Sequence, residues 1–134
     1  MMEVQTTVAA DMIKVWDYWT SPEHIMQWYS ATPEWHTPRA DNDLRPGGKF
    51  CYHMAAKDGS FAFDLEGTYD VVKAQEAIHY HLSDGRKVEV IFEQNEEGVR
   101  VTERFEPETQ NPEDLQRQGW QAILDHFKRY TEGA

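Results

Sequence analysis

Cysteine is almost missing from this chain of 134 residues. Cys51 stands alone, so no internal disulfide can form, and no thiolate spacing suited to a metal is present. A reducing cytoplasm is the expected compartment. No stretch approaches the ~20 consecutive apolar residues that cross a bilayer, and the opening MMEVQTTVAADMIK lacks the basic start and apolar run of a secretion signal. Membrane insertion is therefore not expected. Basic residues are scarce, 13 Lys and Arg against 24 Asp and Glu, for a net charge of -11. Polyanion binding needs clustered cations that release counterions, so nucleic acid is not an expected partner. Repeats, low-complexity tracts and convincing linkers are also missing, which points to a single domain over 1–134, large enough to bury roughly two thirds of its unfolded surface. No phosphate-cradling glycine loop, dinucleotide fingerprint or Ser-His-Asp arrangement occurs. Gly47-Gly48 leads into a strand, the wrong context for phosphate, and no cofactor is expected.

Aromatic residues are plentiful instead, 13% of the chain with five Trp. Where those rings point becomes the main question. The last stretch, Asn111 to Thr131, has the start signals of a helix: Asn111 to cap, Pro112 at the first position, and Glu113 and Asp114 at the positive dipole end. On a helical wheel Leu115, Gly119, Trp120, Ala122, Ile123, Leu124, Phe127 and Tyr130 share an apolar arc of roughly 200°, against ~100° for an ordinary surface helix. Gln121 and Lys128 fall on the opposite, polar side. A helix so apolar needs something curled around it.

Upstream, Met2–Val8 alternates as a strand. Asp11 can cap a short helix through Tyr18, with Ile13, Val15 and Trp16 inward, and Ser21-Pro22-Glu23 starts another with Ile25, Met26, Trp28 and Tyr29 inward. Ser30 to Asp43 reads as an extended, partly irregular segment. Five strands follow the turn Asp43–Gly48, separated by four short turns, and short turns mean antiparallel neighbours. Centring each hairpin on its turn pairs Met54 with Phe61, Tyr52 with Phe63, Tyr69 with Tyr80, Val71 with Ile78, Tyr80 with Val90, Phe92 with Val101, and Val88 with Phe105. One face then collects the apolar residues of every strand, and a one-residue slip anywhere would break that agreement. Cys51, His53, Asp64, Asp70, His79 and His81 fall on the solvated face.

Several motifs sit on this frame: Val15-Trp16-Asp17 with Ser21-Pro22-Glu23-His24-Ile25, then Asp43-Leu44-Arg45-Pro46-Gly47-Gly48-Lys49-Phe50, Gly67-Thr68-Tyr69, Gly98-Val99-Arg100-Val101-Thr102 and Gln118-Gly119-Trp120. Together they resemble the activator of heat-shock-protein-90 ATPase homologue family, within the START-like or SRPBCC superfamily, over nearly the whole chain. The resemblance implies an α+β helix-grip fold, a curved antiparallel sheet around the last helix. It does not settle function, because that superfamily spans lipid carriers, hormone receptors, polyketide cyclases and co-chaperone domains. The co-chaperone's second domain has no counterpart here, which weighs against chaperone activation.

The expected site is a cavity of a few hundred Å³ between sheet and helix. Its lining would be Phe50, Tyr52, Met54, Phe61, Phe63, Tyr80, Val90 and Phe92 from the sheet and Trp120, Ile123 and Phe127 from the helix, with Trp28 and Trp35 gating the mouth. Trp120 is the side chain expected to meet the ligand. Glu103 points inward by strand parity, between Val101 and Phe105. The simpler expectation is a rim position where its carboxylate reaches water; buried instead, it could hold a ligand's polar end or act as an acid or base. His53, His79 and His81 read as surface histidines rather than metal ligands, and His126 as a hydrogen-bonded core histidine. The leading expectation is non-enzymatic binding of a small hydrophobic or amphipathic molecule, lipid-like, polyketide-like or aromatic, by a monomer or homodimer. The alternatives are a chaperone cofactor or stress-response protein with a chaperone as partner, and a cyclase-like or hydrolase-type enzyme using Glu103 with a tyrosine or histidine.

Overall fold

The computed structural model describes residues 1–133. Its elements run β1 (Met2–Val8), α1 (Met12–Thr20), α2 (Pro22–Trp28), β2 (Trp35–Asn42), β3 (Lys49–Ala56), β4 (Ala62–Lys73), β5 (Ala77–Leu82), β6 (Lys87–Asn95), β7 (Gly98–Phe105) and α3 (Glu113–Gly133). The strands form one antiparallel sheet in the order β1-β7-β6-β5-β4-β3-β2. The order places first and last strands side by side, so the sheet curls and α3 closes its concave side in a helix-grip fold.

The local signals act as their chemistry requires. The Asp11 carboxylate accepts from the Lys14 backbone N–H at 2.8 Å, capping α1. Pro22 opens α2, where the missing N–H costs nothing. The helices bury Val15, Ile25 and Trp28, whereas Ile13 and Met26, expected inside, are exposed. The buried line falls along Val15 and Trp19 instead, one turn apart, because α1 leans on α2 and the sheet with that edge.

The meander keeps the expected parity with two registers moved by two residues. Tyr52 pairs with Leu65 and Met54 with Phe63, because the β3–β4 turn centres on Asp58-Gly59 rather than one residue earlier. Tyr80 pairs with Val88 rather than Val90. An even shift leaves each side chain on its own face. The pairs Tyr69 with Tyr80, Phe92 with Val101 and Val88 with Phe105 stand as expected. One odd step occurs at Asp70, where a bulge lets Val72 rather than Val71 meet Ile78. The bulged Asp70 takes His81 Nδ1 at 3.0 Å on the outer face. The irregular segment 30–43 contains the edge strand β2, whose register breaks between His36 and Arg39 around Pro38; a proline there blunts the sheet edge.

The opposite edge is managed by α3. Gln121 donates to the Gln5 carbonyl at 3.2 Å and Lys128 to the Thr7 carbonyl at 2.5 Å, so the free edge of β1 is satisfied by the helix's polar side. Its fully buried residues are Leu124, Phe127 and Thr131, a stripe narrower than the apolar arc suggests, and Leu115 is exposed. Helix α3 runs closest to β1, has α1 and α2 against it, and reaches β7 through Trp120 on Phe105.

Candidate functional site: a buried carboxyl in an aromatic crevice

Glu103 is the feature around which the interior is arranged. It sits in the middle of β7, paired with Val4 on β1 and Val90 on β6. Both neighbours are buried, so the side chain has no lateral route to water; Glu103 is 5% exposed. The rim position expected from sequence is thus replaced by an interior one, because β1 extends the sheet past β7 and α3 covers that edge. The carboxyl makes no hydrogen bond to any described residue, and burial pushes its pKa up to about 8.

It faces a crevice lined by aromatic rings. Tyr52 on β3, Tyr69 on β4 and Tyr80 on β5 form its floor with Phe50 and Ile78, and Trp19, Trp28 and Tyr29 from the α1–α2 pair form its roof. The rings are packed edge to face and tilted: Phe50 lies 5.0 Å from Tyr80 and 4.9 Å from Tyr52 between centroids, and Tyr29 lies 5.0 Å from Tyr52. Gly67 makes room for Phe50, whose ring occupies the place a Cβ would take. The space left is ≈ 20 Å³, enough for about one water. The few hundred Å³ expected from the fold are filled here by the rings themselves.

Tyr69 heads a directed chain. Its O–H donates to Asn42 Oδ1 at 2.5 Å, and Asn42 Nδ2 donates to the Thr20 carbonyl at 2.7 Å. Burial raises the pKa of Tyr29, Tyr52 and Tyr80, and pushes that of Tyr69 up to about 12. All four stay neutral around neutral pH.

Of the residues expected to line the site, the structure brings together Trp28, Phe50, Tyr52, Tyr80 and Glu103. Trp28 is a buried wall rather than a gate: 1% exposed, it gives its indole N–H to the Tyr18 carbonyl at 2.9 Å. Trp120 stacks on Phe105 at 4.0 Å and 5° between planes, away from the crevice, because α3 follows the β1 edge. Ile123, Phe127, Phe92 and Val90 pack the core beside the crevice without lining it; Phe127 lies against Trp19 and Trp28, and Phe92 against Trp16 and Trp19. Met54 is buried toward the end of β3. Phe61 and Phe63 are 60% and 41% exposed and cluster with Trp35 at 6.0–6.1 Å, where the β3–β4 hairpin runs beyond the cover of the helices. Sequence reasoning missed Trp19, Tyr29 and Ile78. The spacing of Trp19 one turn after Val15 was the available signal for the first.

Outside the crevice, His53 pairs with Asp64 at 2.7 Å on the solvated face. Cys51, Asp64 and Glu66 bring ligand atoms within 4.8 Å of one another there. Desolvation followed by the two carboxylates raises the Cys51 pKa, which favours the thiol over the thiolate a metal prefers. His126 Nδ1 donates to the Ser30 carbonyl at 3.0 Å, the hydrogen-bonded histidine expected from sequence.

A curled sheet gripping a helix over a ring-lined interior defines the class as an α+β helix-grip protein of START-like architecture. Within that class the chain belongs to the family described as activator of Hsp90 ATPase homolog 1-like protein, whose profile matches residues 9–132. It is similar to the AHSA1-like protein from Aeromonas hydrophila, at 41% identity and a TM-score of 0.93 over 98% of this chain and 92% of that one. It is also similar to Chr148 from Cytophaga hutchinsonii, at 52% identity and a TM-score of 0.85 over 98% and 91%. NE0264 from Nitrosomonas europaea, at 19% identity, has the same fold, with a TM-score of 0.81 over 98% and 94%. No match is found among curated proteins. No helix among the described residues is long and apolar enough to cross a membrane.

Proposed function

We propose that this protein binds a small amphipathic molecule, its apolar or aromatic body held between the rings of α1–α2 and those of β3–β5 and its polar end against Glu103. The observation carrying this reading is Glu103 itself: a carboxyl 5% exposed with no hydrogen bond to a described residue. Burying such a group without a partner costs several kcal/mol, and a ligand that supplies the partner recovers part of that cost. With ≈ 20 Å³ of space in this conformation, the body of the ligand enters by displacing Trp19 and Tyr29, so the bound state is an opened one. A carboxyl titrating near 8 is also poised to exchange a proton near neutral pH, so turnover of any bound compound belongs in the same assay.

Native mass spectrometry after gentle purification, followed by thermal-shift and tryptophan-fluorescence screening with fatty acids, aromatic polyketides and small aromatic compounds, tests the reading. Trp19 and Trp28 line the crevice, so an occupant changes their emission. The expected result is at least one compound class that binds wild type and loses affinity at least tenfold in Y80A. If no compound shifts either signal at millimolar concentration, the reading is wrong.

A second reading rests on the exposed Phe61 and Phe63, which cluster with the half-buried Trp35. Three neighbouring rings at a sheet end suit contact with a protein, and the family's description refers to a chaperone ATPase activator. Chaperone ATPase rates with wild type and with a double variant F61S/F63S test it; a rate unmoved by wild type excludes it.

A further inference from the structure

We propose that the group the crevice recognises is the –NH3+ end of a primary amine, with Glu103 as its counter-ion; this rests on the binding role above and names the ligand's chemistry. Four observations point to a cation that donates hydrogen bonds. First, no Lys, Arg or His lines the crevice, so no cation among the lining residues neutralises Glu103. Second, the walls opposite it are the electron-rich rings of Trp19, Trp28, Tyr29, Tyr52, Tyr69 and Tyr80, and ring faces attract cations with an energy that grows when water is excluded. Third, Tyr69 spends its hydroxyl hydrogen outward, on Asn42. Its oxygen therefore presents lone pairs, and the hydroxyls of Tyr29, Tyr52 and Tyr80 can turn to accept as well as donate. Fourth, ≈ 20 Å³ beside the carboxyl suits a group the size of a water, which an ammonium head is and a trimethylammonium is not. The net charge of -11 adds a field that concentrates cations around the molecule.

The groups facing Glu103 fix the pH dependence. Tyr29 at the end of α2, Tyr52, Tyr69 and Tyr80 are all neutral through neutral pH, while β1, β6 and α1 contribute Val4, Val90 and Trp19. Glu103 is then the group that titrates. Free protein holds its proton below about 8; binding a cation expels that proton. Amine affinity should rise about tenfold per pH unit between pH 6 and 8, level off, and fall again as the amine deprotonates at roughly 10.

The experiment compares 2-phenylethylamine, 2-phenylethanol and 3-phenylpropanoate, which share a body and differ in the head group, by isothermal titration calorimetry on wild type and E103Q. The expected outcome at pH 8 is amine at least tenfold tighter than alcohol, carboxylate weakest, and the amine preference lost in E103Q. Repeating the amine titration at pH 6.5 in buffers of different ionisation enthalpy should show release of about one proton per amine bound. An alcohol that binds as well as the amine, or an amine preference retained in E103Q, overturns the cation assignment and leaves the binding role standing. Failure of all three probes together with the wider screen overturns both.

Discussion

In the unfolded chain Glu103 ionises near 4.5, whereas inside the grip it keeps its proton up to about 8. Below pH 4.5 both states are protonated and the group costs nothing. Between 4.5 and 8 only the unfolded state sheds the proton, so stability falls as pH rises; above 8 the penalty is constant. The full difference is on the order of 5 kcal/mol. Glu103→Gln cannot ionise, so urea denaturation should find it level with wild type at pH 4 and ahead by ~3 kcal/mol at pH 7. A wild type whose stability relative to E103Q stays flat from pH 5 to 8 would mean that the carboxyl is solvated. The inward direction of this residue was legible in the alternation Val99, Val101, Glu103, Phe105. Its depth was not, because depth depends on β1 lying beside β7, a contact nearly a hundred residues away in the chain.

The strands and short helices follow local rules, and the places where they depart from them are informative. Gly98 opens β7 with φ 141°, and a Cβ there would collide with the Val8 carbonyl at the end of β1. Gly98→Ala is expected to cost more than ~2 kcal/mol, combining backbone strain with a clash against unyielding main chain. Asp11→Ala, which removes only the α1 cap, is expected to cost ~1 kcal/mol. Thermal unfolding of the two variants separates these cases; equal losses would show that the β1–β7 contact yields to a methyl group. The wheel of α3 identified the helix but overstated its buried arc. Periodicity records which residues are apolar, not which neighbour arrives, and here Lys128 and Gln121 reach back to strand carbonyls while Leu115 stays exposed.

The whole molecule carries 24 acidic residues against 13 basic ones. The surface cations are used locally, as in Arg104 with Glu3 at 2.9 Å, Arg86 with Asp84 at 2.7 Å and Lys128 with Glu132 at 2.7 Å. Such exposed pairs contribute little each, so the surplus negative charge repels itself across a domain-sized object. Raising salt from about 20 mM to 500 mM shortens the Debye length from ~20 Å to ~4 Å. The melting temperature in NaCl should therefore rise by several degrees at neutral pH, and substantially less near the sequence pI of ≈ 4.8. A melting temperature that falls with NaCl at pH 7 would mean that the local pairs outweigh the net repulsion.

The sequence by itself determined the order of the elements other than the edge strand β2, the α+β class, the five-strand meander and the inner and outer faces, because period-two alternation and short turns are local and an even register error leaves parity intact. It also gave Glu103 an inward direction, though with a rim position in reach of water as the simpler expectation, and turned most of the rings inward, Phe61 and Phe63 being the exceptions. Only the tertiary structure decided that Trp120 stacks on Phe105 while Trp19 and Tyr29 reach the carboxyl. Those outcomes depend on how far α3 slides along β1 and how the α1–α2 pair tilts onto the sheet. Helix placement is set by close packing among side chains distant in the chain, and no periodicity within one segment encodes it.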